Sequence, residues 1–283
     1  MVDPKLRAYN AGLAVTHLVL GIGFSMYFAH INKKFAGQEV QGLELSLRAH
    51  SLTIAPDANN VVRGTWSSKL LDTLDLSLIQ RLLVGFFFVT AAFHLYYAAS
   101  FDGRYGEMIE RGNNYVRWIE YSISSTMMLY VIALLSGVKD KHIYQTIFAT
   151  NIAMIYTGQV VEDNIREGKS WVAPMAVGFM LLIAEFSIII RDFNARLEEV
   201  DTFSKAYPER SNGRTIPSWL KYMVFVLFAF FSCFGFISLY GAYSGARYEN
   251  VEKLYLLFSL AAKATLGFFL AYGLGIRQER TQA

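Results

Sequence analysis

Seven runs of apolar residues, each close to the length a bilayer demands, constrain this chain more than any other feature of its sequence. A hydrocarbon core of about 30 Å takes ~20 helical residues to cross. The runs occupy approximately residues 8–31, 77–99, 115–136, 142–161, 170–190, 219–243 and 251–273. In lipid every backbone N–H and C=O must find a partner within the chain, so runs of this length are read as helices. Composition agrees, because only 17% of residues are charged against about 25% in soluble domains. The expectation is an all-α integral membrane protein in which residues 1–283 form a single seven-helix domain. The fourth run is the most polar of the seven. The net charge is only +3 and no basic tract marks a nucleic-acid surface, so the lipid bilayer, not nucleic acid, is the expected macromolecular surround. The opening MVDPKLRAYN leads into an apolar run with no small-residue cleavage site after it, which predicts a retained first helix.

Two connections are long. Within residues 32–76, the stretch LELSLRAHSLTI (43–54) alternates apolar and polar as a half-buried strand does. Asp57, Asn59 and Asn60 supply turn residues, and Val61-Val62 begins a returning strand. This predicts a β-hairpin outside the membrane, followed by a short amphipathic turn over residues 69–74. Residues 191–221 are charged and polar and predict a helix extension followed by coil. The single cysteine, Cys233, lies in an apolar run, so neither an intrachain disulfide nor a metal centre is expected.

The interior-facing polar groups carry the chemistry. Lys263 stands near the middle of the last run. An ammonium there costs about 2.5–3.5 kcal/mol on insertion scales, so such a residue marks a functional site by default. Two readings compete: a lysine lining a water-filled transport path, and an amine that condenses with a carbonyl to form a Schiff base. Ser259 lies one helical turn earlier on the same face. Odd-numbered runs begin, and even-numbered runs end, on the membrane face that holds the N-terminus. His17, His94, Glu120 and Glu162 therefore fall ~0–14 Å below that face, and Lys263 lies ~18 Å deep. In the third run Arg117 and Glu120 are spaced i,i+3, and Tyr121, Ser124 and Met128 continue the stripe toward the midplane. A histidine on an apolar helix is more often a satisfied core residue than a working one. Glu120 is different, because a buried carboxylate needs a cation. Its candidate partners are Arg117, as a surface pair, and a cationic Lys263.

A seven-helix bundle with a lysine in its last helix resembles the retinal-binding rhodopsins, and in particular the heliorhodopsins. The resemblance rests on Arg117-Trp118-x-Glu120-Tyr121 and Ser259-x-x-x-Lys263, with His17, His94, Glu162 and the hairpin-bearing first loop in support. It covers essentially the whole chain. It implies a rhodopsin-like seven-transmembrane-helix bundle with a β-hairpin between helices 1 and 2, and all-trans retinal bound covalently to Lys263 as a protonated Schiff base. Glu120 would be the counter-ion. Ser259, His17, His94, Arg117 and Glu162 would surround the Schiff-base region and a polar cavity that receives its proton. Tyr121, Ser124, Met127, Met128 and Asn151 would contact the polyene, with Phe228 and Phe231 as further walls; core packing is the competing reading of each. The family also implies a homodimer, light sensing without enzymatic catalysis, and an unidentified signalling partner.

The resemblance places the N-terminus in the cytoplasm. The Lys/Arg distribution argues the reverse: seven of these residues would be cytoplasmic and fifteen on the other side. Eleven of those fifteen lie in the two longest loops, where the rule counts poorly. A light-gated or light-driven proton channel or transporter is the alternative function, because the four ionisable groups line one half of the bundle. A receptor or scaffold without chromophore would leave Lys263 unexplained.

Overall fold

The computed structural model describes residues 3–34, 45–56, 62–74, 76–207 and 218–279. Seven long helices are α1 (Lys5–Lys34), α2 (Leu76–Ala99), α3 (Tyr115–Leu135), α4 (Lys141–Arg166), α5 (Val172–Ala206), α6 (Ser218–Ser244) and α7 (Tyr248–Glu279). Sequence neighbours pack side by side, and α7 returns to α1 to close the ring. Among the described residues six helices are long and apolar enough to cross a membrane, α4 being the exception. The polarity of α4 serves the interior, since Asn151 and Glu162 are among its buried residues. The bundle is polar at its heart and greasy outside: Met26 and Met180 are each 68% exposed, whereas Arg117 is 0% exposed. That inversion is expected where the surrounding solvent is hydrocarbon.

Helix ends follow local chemistry. The side chain of Asn114 caps α3 by accepting from the Arg117 amide, and Asp140 caps α4 by accepting from the His142 amide at 2.6 Å. After α3 the chain turns at Gly137, whose φ of +85° is left-handed and inexpensive only for glycine. The charged stretch after residue 190 does extend its helix, to Ala206. At 35 residues α5 is ~52 Å long, more than a bilayer spans.

The hairpin pairs β1 (Leu45–Pro56) with β2 (Val62–Leu74) antiparallel, with a bulge between Leu47 and Arg48. Its turn residues 57–60 lie outside the described residues. The amphipathic turn expected over residues 69–74 is corrected: Lys69 and Leu70 pair with Ala49 and Arg48, and Leu74 with Leu45, so the strand runs on. The ladder satisfies more backbone groups than an isolated turn can.

The hairpin is docked on the connection between α3 and α4. The Arg48 amide donates to the Lys139 carbonyl at 2.8 Å, and His50 Nδ1 lies 2.6 Å from Asp140 Oδ2. Partial burial opposes the charge on Asp140. The bonds from His50 and the His142 amide outweigh it, and hold this carboxyl below its ordinary value. A depressed acid contributes stability that is present above its unfolded pKa and is lost as pH falls through the folded one. Protection of the Arg48 amide from hydrogen exchange, measured against its intrinsic rate at each pH, should therefore be high at neutral pH and fall in acid, below the usual carboxylate range. In Asp140→Asn protection should be low at both; unchanged protection at neutral pH would remove Asp140 from the docking contact.

Candidate functional site

Three buried polar clusters occupy the half of the bundle nearest the N-terminus. The innermost is built on α7 and α3. Lys263, 2% exposed, donates from Nζ to Ser259 Oγ at 2.5 Å, one turn back on its own helix, and to Glu120 Oε1 at 3.3 Å. Glu120 Oε1 also accepts from Thr90 Oγ1 of α2 at 2.8 Å and from Ser124 Oγ at 3.4 Å. Glu120 Oε2 has no hydrogen-bond partner among the described residues. Lys263 thus meets a carboxylate whose orientation is held from two other positions.

Beside it, on α1 and α2, the rings of His17 and His94 stack with centroids 5.1 Å apart. His17 Nδ1 lies 2.8 Å from the Leu13 carbonyl, and His94 Nδ1 lies 2.9 Å from Asn10 Oδ1. Both Nε2 atoms and the nearby Tyr97 hydroxyl are buried without partners among the described residues. Lone pairs left bare in this way suit a place that receives a proton or holds water.

The third cluster decides between the two candidate partners of Glu120. Arg117 forms no surface pair with Glu120. It is fully buried, with one amino group on Glu162 of α4 and the other on Glu252 of α7. Glu162 Oε2 also accepts from Trp118 Nε1 at 2.9 Å and Tyr248 OH at 3.0 Å, and Glu252 Oε1 accepts from Asn114 Nδ2 at 2.7 Å. The guanidinium lies 4.0 Å from the ring centroid of Tyr255. Pairing explains the choice. With Arg117 on Glu120, Glu162 and Glu252 would be stranded and Lys263 would lose its partner; as built, each of these three carboxylates contacts a cation. Arg117→Ala should therefore destabilise the protein by about 3–5 kcal/mol in detergent unfolding, because it leaves both carboxylates bare. A loss below about 1 kcal/mol would show the cluster to be less tightly coupled than its geometry implies.

A cavity bounded by α3, α4, α5, α6 and α7 opens beside Lys263, with about 800 Å³ of empty space including its mouth. Of the pocket residues expected, Tyr121, Ser124, Met128 and Phe231 line it, with Ser259 and Lys263. Met127, Asn151 and Phe228 do not. Asn151 is turned onto Ser125 and Thr126, at 2.8 and 2.7 Å, and Phe228 packs on Phe186 with centroids 5.1 Å apart. Met127 points to α2, where its Cε would crowd any Cβ added at Gly85. Met154, Phe179 and Phe234 take wall positions that the sequence did not single out, and Trp118, which the sequence marked only as part of the motif around Glu120, joins them.

Sequence reading also passed over Glu252, Asn10, Thr90, Asn114 and Tyr105. Only Glu252 carried a usable signal: it precedes Lys263 by eleven residues, about three turns, and so shares its face. Glu185 of α5 was missed as well; it is 0% exposed, and its Oε1 accepts from Thr150 at 3.3 Å.

Known proteins bear on this arrangement in three ways. Among curated proteins none matches. The fold is similar to a solved structure of the light-driven proton pump LR (Mac) from Leptosphaeria maculans, with a TM-score of 0.53 and 11% identity, covering 96% of this chain and 97% of that one. At that identity the likeness speaks for the fold, a seven-helix rhodopsin bundle. The heliorhodopsin family model matches residues 6–274, nearly the whole chain, with the buried lysine, its carboxylate and the apolar cavity all inside the matched region. The chain belongs to the heliorhodopsin family.

Proposed function

We propose that this retinal-linked, light-responsive membrane protein is a sensor, in which Lys263 carries all-trans retinal covalently, Glu120 is the counter-ion, and light moves a proton toward His17 and His94. The observation that carries the reading is a single buried amine paired with a single carboxylate at the end of a mostly apolar cavity. The cavity fits such a group. Its aromatic and thioether walls suit a conjugated chain, and Lys263 is one of its lining residues. Retinal bound there supplies a visible-light absorber whose isomerisation displaces the cationic nitrogen.

The remaining work belongs to the protein. Ser259 Oγ and Glu120 Oε1 orient the Lys263 nitrogen. Thr90 and Ser124 keep Glu120 aimed at it. The apolar walls exclude water, which strengthens the ion pair. The bare Nε2 atoms of His17 and His94 are the acceptors for a released proton. The rearrangement that follows would be slow and would signal to a partner, in a homodimer whose N-terminus faces the cytoplasm.

Transport is the rival. A pathway needs charged or proton-exchanging steps across both halves of the bundle, yet α3 carries no Asp, Glu, His, Lys or Arg over positions 127–135, nor α7 over 264–276. Glu185 is one buried carboxyl on α5, and Leu182 and Phe186 flank it on its own helix. Expression with all-trans retinal should yield a visible band, and patch-clamp recording under illumination should find no sustained current. A sustained, voltage-dependent proton photocurrent that disappears in Glu120→Gln would replace the sensor by a channel.

A further inference from the structure

A run of hydrogen bonds joins the histidine pair to the Arg117 cluster, and the chemistry of its members leaves its direction no freedom. Glu252 Oε1 lies 3.3 Å from Tyr105 OH. Glu252 is held by Arg117 as a carboxylate, which only accepts, so the hydroxyl donates and its oxygen is left to accept. Asn10 Nδ2 donates to that oxygen at 3.2 Å and to the Leu6 carbonyl at 3.0 Å. A backbone carbonyl only accepts, so the amide cannot be turned over. Its Oδ1 therefore faces His94 Nδ1, at 2.9 Å. An amide oxygen only accepts as well, so Nδ1 of His94 bears the hydrogen and Nε2 bears the lone pair. His17 reaches the same form by another route, through the Leu13 carbonyl at 2.8 Å. All four side chains of the run are buried: His94, Asn10, Tyr105 and Glu252 are each 0% exposed.

We propose that Asn10 is a positioning residue: by fixing His94 as the Nδ1–H tautomer it makes Nε2 the atom that takes up a proton, and through Tyr105 it ties that event to Glu252, Arg117 and Glu162. The inference rests on the reading that a proton moves to the histidines. When an N–H bond forms at Nε2, the ring becomes cationic and its Nδ1–H bond to Asn10 becomes charge-assisted. Every donor in the run points toward Glu252, so each bond strengthens the next. The Asn10 amide has no proton to hand on. The run therefore transmits polarisation without carrying a proton toward the N-terminal face, in keeping with a sensor. It reaches a cluster that joins α3, α4 and α7, the helices a light signal would have to move.

The test reads tautomers directly, by nitrogen NMR of the full chain with 15N-labelled histidine in lipid, retinal-free and retinal-bound in the dark. His94 and His17 signals are assigned by their loss in His94→Ala and His17→Ala. In the wild type both should be Nδ1–H. In Asn10→Leu the His94 tautomer ratio should shift by roughly tenfold toward Nε2–H, the weight of one buried hydrogen bond, while His17 stays Nδ1–H. Asn10→Asp, which keeps the accepting oxygen, should restore Nδ1–H on His94. A merely structural asparagine would leave the ratio unmoved, and that result overturns the inference. So does an Nε2–H signal for His94 in the wild type, which does not depend on any Asn10 variant folding. A colourless protein with Nδ1–H on His94 would sink the sensor reading alone. A coloured one with Nε2–H on His94 would sink this inference alone.

Discussion

Lys263→Ala is expected to assemble into the same bundle and to stay colourless when all-trans retinal is added. Lys263 is the only lysine among the residues lining the cavity, so its loss removes the sole amine there able to bond an aldehyde. The other buried ion pairs do not involve Lys263, since Arg117 holds Glu162 and Glu252. Glu120 alone is orphaned by the change. A carboxylate left bare in an apolar interior takes up a proton in preference to remaining charged, and Thr90 and Ser124 remain to bond it. Loss of stability should accordingly be smaller than for Arg117→Ala, and size-exclusion and helical content should stay as in the wild type. The absorption spectrum after reconstitution is the measurement. A covalently bound, visible-absorbing product would reject Lys263. The next lysine along α7, Lys253, is engaged with Asp3 at 3.0 Å and does not line the cavity.

Glu120→Gln should change the colour more than any other single substitution that retains retinal. Glu120 is the one carboxylate bonded to Lys263, at 3.3 Å, among the described residues. A cation held beside a carboxylate keeps its proton more tightly, by 1.36 kcal/mol for each unit of pKa. With glutamine in place, the visible band should give way to a near-ultraviolet form at a lower pH than in the wild type. Where the nitrogen remains protonated, the band should move to the red, because the ground state has lost the charge that stabilised it more than the excited state. His17→Ala and His94→Ala should alter proton-transfer kinetics and leave the dark colour nearly unchanged. Glu162→Gln is the control, since Glu162 bonds Arg117, Trp118 and Tyr248 and not Lys263. If the dark titration responds to Glu162→Gln and ignores Glu120→Gln, the counter-ion belongs to α4.

Sequence alone determined what depends on one segment at a time. The length of each run, the one-turn spacing of Ser259 and Lys263, and the strand character of residues 45–54 are properties of a single helix or strand, and the structure contains each. The contact of Lys263 with Glu120 was legible as one of two alternatives, because a buried carboxylate needs a cation and the sequence offered Arg117 and Lys263. Rotation about the helix axes was not legible. One residue turns a side chain by about 100°, which is why Met128 faces the cavity while Met127 faces α2. Partner choice also waited for the tertiary structure. Spacing put Arg117 within reach of Glu120, but the arginine went to Glu162 and Glu252, because carboxylates buried on neighbouring helices need a cation as much as one on its own helix does. Asn10 and Tyr105 are unremarkable in the chain; only packing of α1 and α2 against the connection after residue 99 and against α7 brings them between His94 and Glu252.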